Sequence, residues 1–129
     1  MDMESWVFPK LKFPSMREEL IGYLRGLSDI NYQYRAWVHR EASDTFYDEL
    51  DYAIHFLFDD TGLATDARSW IGLVLLGEAE VQAVEDVVRN INELFLLHGI
   101  DLEDAEYLAT PTWMRVVESS KEALAVFLR

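Results

Sequence analysis

Apolar residues recur at three- and four-residue intervals along most of the chain, the signature of helices burying one face. Met16, Leu20, Tyr23, Leu24 and Leu27 form one such stripe. It predicts a helix that Pro14-Ser15 starts and Gly26 closes, with Ser15 and Glu18 at capping-box spacing. Ser28 then reads as the next cap, before Ile30, Tyr34, Trp37 and Val38. The clearest stripe is Phe46, Tyr47, Leu50, Ala53, Ile54, Leu57 and Phe58, a helix from about Thr45 to Phe58, capped by Asp44 and ended by Asp59-Asp60-Thr61-Gly62. Val81, Val84, Val87, Val88, Ile91, Leu94 and Phe95 define a long helix from Gly77-Glu78 to about His98, with Gly99 as its stop. Asp101 is placed to cap a short helix, Leu102 to Leu108. Thr110-Pro111 reads as a cap and first-position Pro before a last helix carrying Trp113, Val116, Val117, Leu124, Phe127 and Leu128.

Two segments depart from this pattern. Trp6, Phe8, Leu11 and Phe13, with Pro9 among them, suggest an extended arm laid on the body. Trp70 to Leu76 is short, apolar and interrupted by Gly72, so periodicity leaves strand and buried helix both open. The expected fold is all-α: a single domain of residues 1–129, with six or seven helices and an N-terminal arm over residues 1–14.

Composition narrows the function. The 129 residues are 50% hydrophobic, which is too apolar for a disordered acidic tail. With 11 Lys+Arg against 24 Asp+Glu the formal charge is −13. That balance, with a pI near 4.4, argues against nucleic acid and anionic lipid as partners. Zero Cys removes disulfides, thiolate zinc sites and cysteine nucleophiles. The acidic start Met1-Asp2-Met3-Glu4 does not resemble a secretory signal, so a cytoplasmic location is expected. There is no phosphate-binding Gly-rich loop, G-x-S-x-G or H-E-x-x-H, hence no cofactor signature.

One helix face carries candidate chemistry. Asp48, Asp51, His55 and Asp59 fall at steps of three and four residues, opposite the apolar stripe. Such a set can hold a divalent ion, and equally can be a solvated or ion-paired face. Tyr52 and Phe56 lie at its edge, as aromatic anchors for a basic partner or as packing under a neighbouring element. A second acidic group is Asp101, Glu103, Asp104 and Glu106, which suits either the positive end of a helix dipole or a partner-facing surface. Glu78, Glu80, Glu85 and Asp86 follow the same logic at the start of the long helix. His39 and His98 sit at helix ends, as structural histidines do. The four Trp, at 6, 37, 70 and 113, are expected in the core.

Phe13-Pro14-Ser15-Met16-Arg17, then Tyr47-Asp48, Leu50-Asp51, His55, Leu57 and Asp59-Asp60, then Pro111, Trp113 and Val116-Val117 resemble a family of small acidic bacterial proteins, mainly actinobacterial, without an established activity. The likeness runs from about Leu11 to Leu124. In type, the chain also resembles the immunity proteins of contact-dependent and other polymorphic toxin systems. That resemblance implies a non-enzymatic binding protein whose partner is a cognate toxin domain with a basic active site. The two acidic groups are the expected contact residues, Asp48, Asp51, Tyr52, His55, Phe56 and Asp59 first. The alternatives are a metal-binding protein or enzyme using Asp48, Asp51, His55 and Asp59, or a regulatory or scaffold module.

Overall fold

The computed structural model describes residues 10–40 and 48–129. Among them there are six α-helices and no strand. They are α1 (Pro14–Leu27), α2 (Ile30–Gln33), α3 (Leu50–His55), α4 (Glu78–His98), α5 (Asp104–Leu108) and α6 (Trp113–Phe127). α2 runs on into a π-helical turn, Tyr34–Val38, and α3 into another, Phe56–Asp60; a 3₁₀ turn spans Ala67–Trp70. The fold is all-α, as the periodicity predicts.

α6 packs along α4 and α1, and the three form the frame. α4 buries Val81, Val84, Val87, Val88, Ile91 and Leu94, with Phe95 half-buried. α6 buries Trp113, Val116, Val117, Ala123 and Phe127. Leu128, expected on that face, is exposed because the helix ends at Phe127. Two of the four Trp, Trp37 and Trp113, meet edge to face in the core at 6.0 Å, and Trp70 is half-buried. Trp6 and the arm as far as Pro9 lie outside the described residues, as do Asp44 to Tyr47. The arm's last residues follow the body: the Lys12 and Phe13 amides donate to the Gly72 and Leu73 carbonyls.

Several caps differ from those expected. α1 starts two residues earlier than a Ser15 cap would allow, because Pro14 occupies its first turn with Phe13 at the N-cap. Ser15 is thereby inside the helix, and no side chain caps this end. Asp29, not Ser28, caps α2 by accepting from the Tyr32 amide at 3.0 Å. Glu103, not Asp101, caps α5 in a reciprocal box with Glu106. Thr112 is the N-cap residue of α6, and Thr110 Oγ1 accepts from the Trp113 amide, so Thr110-Pro111 belongs to the turn ahead of it.

Residues 71–77 are neither strand nor helix. They form a tight turn with a single bridge between Ile71 and Leu75, and Gly72 supplies its positive φ of 87°. A polar hub holds this turn. Arg17 grips Glu80 through two parallel hydrogen bonds of 2.7 and 2.8 Å and donates to the Val74 carbonyl at 2.9 Å. Glu80 Oε1 also accepts from the Leu76 amide, and the Arg17 guanidinium lies 4.9 Å from the centre of the Phe127 ring. Glu80 is therefore a buried ion-pair partner rather than a solvated carboxylate at the helix dipole. A second buried link joins distant elements. Gln33 donates to the Gly26 and Leu27 carbonyls at the end of α1 and accepts from the Trp113 indole at 2.9 Å.

Removing one partner of the buried pair strands the other charge. Glu80→Ala is expected to cost about 3–5 kcal/mol of stability. Glu78→Ala breaks an exposed pair with Arg68 and should cost less than about 1 kcal/mol. Urea unfolding of the two variants checks the contrast; equal losses would contradict it.

Candidate functional site: an acidic cleft between α3 and the α4–α5 turn

One carboxylate of the first acidic group, Asp51, and three of the second, Asp101, Glu103 and Asp104, line one cleft. Asp104, at the start of α5, accepts from the Leu50 amide at 3.1 Å and so docks α5 onto the first turn of α3. That contact places Glu49 and Asp51 opposite Asp101, Glu103 and Asp104. The cleft holds about 250 Å³, and its apolar wall includes Ile54, Phe95, Ile100 and Leu102. A second hollow of about 220 Å³ shares Glu49, Glu103 and Asp104 and reaches Trp37 and Arg40. Arg40 Nη2 lies 3.9 Å from Glu49, and the Arg40 backbone takes a left-handed φ of 54°.

Asp104 bears a cost for its position. Burial pushes its carboxyl above the usual range, the Leu50 amide opposes that rise, and the Glu49 charge adds to it. The folded state then binds this proton more tightly than the unfolded one, so Asp104 lowers stability as pH rises through its titration. Tyr107 is also pushed up, first by burial and further by the Asp101, Asp104 and Glu106 charges. Its hydroxyl stays protonated and donates to the Gly99 carbonyl at 2.6 Å.

The face expected on α3 divides. Asp48 precedes the helix and turns inward, accepting from the Tyr32 hydroxyl at 2.5 Å and the Trp37 indole at 2.9 Å. Burial and this bond hold the Tyr32 phenol protonated. Phe56 is only 3% exposed and packs against Tyr23 of α1 at 5.0 Å. The expected surface anchor is a core residue, because α1 covers the helix edge about 60° round from Ala53. Tyr52 remains exposed, as do Asp51, His55 and Asp59.

His55 Nδ1 lies 2.6 Å from Asp59, while Nε2 lies 3.5 Å from Asp51. The two ring nitrogens thus face separate carboxylates, and Asp48 is engaged elsewhere. Asp48, Asp51, His55 and Asp59 do not meet at one point, and no group of three or more His, Asp or Glu among the described residues is arranged to hold a metal ion. The hydrogen bond to Asp59, then the Asp51 charge, raises the His55 pKa above 6.5. Of the other histidines, His98 bonds Thr112 Oγ1 at 3.1 Å across the α4–α6 corner, and His39 is exposed at the end of the first π turn.

Two sets of site residues lie outside the sequence expectation. Glu49 joins the cleft only through the contact between α5 and α3, which no local pattern encodes. Leu96, Leu97 and Ile100 project into solvent, and Ile100 also lines the cleft. The first two were legible: at about 100° per residue they fall away from the Ile91 and Leu94 face.

Fold and site together define a small all-α domain with an acidic, apolar-walled cleft, the concave form that binding sites take. The chain belongs to the family described as Domain of unknown function (DUF7945), whose model matches residues 11–129. No curated protein and no solved structure matches it. Among the described residues, no helix is long and apolar enough to cross a membrane.

Asp104→Asn keeps an acceptor for the Leu50 amide and removes the buried charge, so it should be at least as stable as the native chain at pH 7. Asp104→Ala loses the acceptor and should be less stable by about 1 kcal/mol. Denaturation of both variants tests whether the hydrogen bond or the charge sets the balance. The His55 contribution has the opposite pH sense to a paired carboxylate. It is fully present below 6.5, the unfolded value, and is lost as pH rises through the higher folded pKa. An NMR titration should place the His55 midpoint above 6.5, and Asp59→Asn should bring it down.

Proposed function

We propose that this chain is a bacterial immunity-type protein, of actinobacterial type, which works in the cytoplasm as a binding protein rather than an enzyme. It neutralises a toxin domain by laying its acidic cleft over a basic active site. The observation that supports this most directly is the cleft itself, where Glu49, Asp51, Asp101, Glu103 and Asp104 surround an apolar wall. Such a surface suits a cationic partner that also carries apolar anchors. The raised proton affinity of Asp104 supports the same reading, since the fold keeps a carboxylate here against its own desolvation. The net charge of −13 favours electrostatically steered encounter with a basic cleft.

The test mixes the purified chain with toxin domains encoded in the same genome. One of them should lose its activity at one-to-one stoichiometry. Association should slow by about tenfold or more between low salt and roughly 0.5 M salt, and also in Asp51→Asn/Asp101→Asn. A panel in which no toxin domain is inhibited overturns the proposal. Inhibition that ignores both salt and the double variant overturns the cleft as its site.

A further inference from the structure

The three most exposed large hydrophobic side chains among the described residues lie within five positions of one another. Leu96 is 85% exposed, Leu97 61% and Ile100 75%. The backbone beneath them is pinned rather than frayed. Gly99, at φ 81°, donates to the Phe95 carbonyl and accepts from the Tyr107 hydroxyl, and His98 bonds Thr112. A fixed backbone thus presents closely spaced apolar groups to solvent, which marks an interaction surface more than scattered single residues do. The ridge is also continuous with the acidic cleft, since Ile100 and Phe95 line that cleft.

Resting on the binding-protein reading above, we infer that Leu96, Leu97 and Ile100 form the apolar half of one docking surface, whose acidic half is the cleft. Its occupant is a basic amphipathic segment of another protein. The segment's apolar side chains pack on the ridge, and its Lys or Arg side chains reach Glu49, Asp51 and Asp101. Charge decides between occupants. A second copy on a two-fold axis would set the same patch against itself. The carboxylates of two chains, each of charge −13, would then face one another. An anionic lipid surface is repelled for the same reason. A basic segment satisfies both halves at once.

The experiment uses the full chain and two synthetic peptides of equal positive charge. One carries Lys with Leu on one helical face, and the other carries Lys with Ser in place of Leu. The Lys/Leu peptide should bind about tenfold or more tightly than the Lys/Ser peptide and shift the methyl signals of Leu96, Leu97 and Ile100. Leu96→Ser/Leu97→Ser should erase that advantage with thermal unfolding unchanged, because both side chains are exposed. Asp51→Asn/Asp101→Asn should weaken both peptides. Equal binding of the two peptides, unaffected by the Ser variant, overturns the ridge and leaves the acidic cleft standing. Binding of neither peptide counts against both. A dimer in light scattering that Leu97→Ser dissolves assigns the ridge to a second copy and overturns the basic occupant.

Discussion

The Arg17–Glu80 pair is the constraint on which the frame depends. It joins α1 to α4, and the same two side chains bond backbone groups of the irregular turn between them, the Val74 carbonyl and the Leu76 amide. The turn's buried centre, Val74 and Leu75, leaves the Val74 carbonyl and the Leu76 amide to be satisfied by these side chains, since no ladder or helix does so. The guanidinium also stacks on Phe127, so the end of α6 is fixed by the same group. With one end of the frame set this way, the 21-residue α4 carries its C-terminal turn to a defined place beside α5. The cleft is built there.

At that end the deciding contact is weaker and carries a cost. Asp104 links α5 to α3 through one amide, and it does so as a half-buried carboxylate among other carboxylates. A neutral acceptor would hold the same amide without the desolvation penalty. The excess negative charge at this point is therefore a property of the surface rather than a need of the fold. The same distinction separates Asp48 from Asp51. Asp48 accepts two buried donors and is structural, whereas Asp51 is exposed at the rim of the cleft.

Much of this was legible in local pattern. The α4 stripe, its Gly99 stop and the all-α class follow from periodicity and turn chemistry, which act within a few residues. Caps shifted by one or two positions: Pro14 opens α1 behind Phe13, Asp29 caps α2 and Glu103 caps α5. Phe56 was misplaced for a different reason. A wheel drawn on one helix does not say which edge a neighbour covers, and α1 covers that edge.

The sequence by itself determined the all-α class, the buried stripe of α4, the excess of negative charge and the two acidic groups, all of them sums or short-range periodicities. Tertiary structure alone decided which of those charges meet. Leu50 and Asp104 are 54 residues apart, Arg17 and Glu80 are 63, and Gln33 and Trp113 are 80. A hydrogen bond across such a separation forms only after the packing of intervening helices has brought its partners within 3 Å or so. No spacing along the chain encodes that distance, and the cleft exists only because it is met.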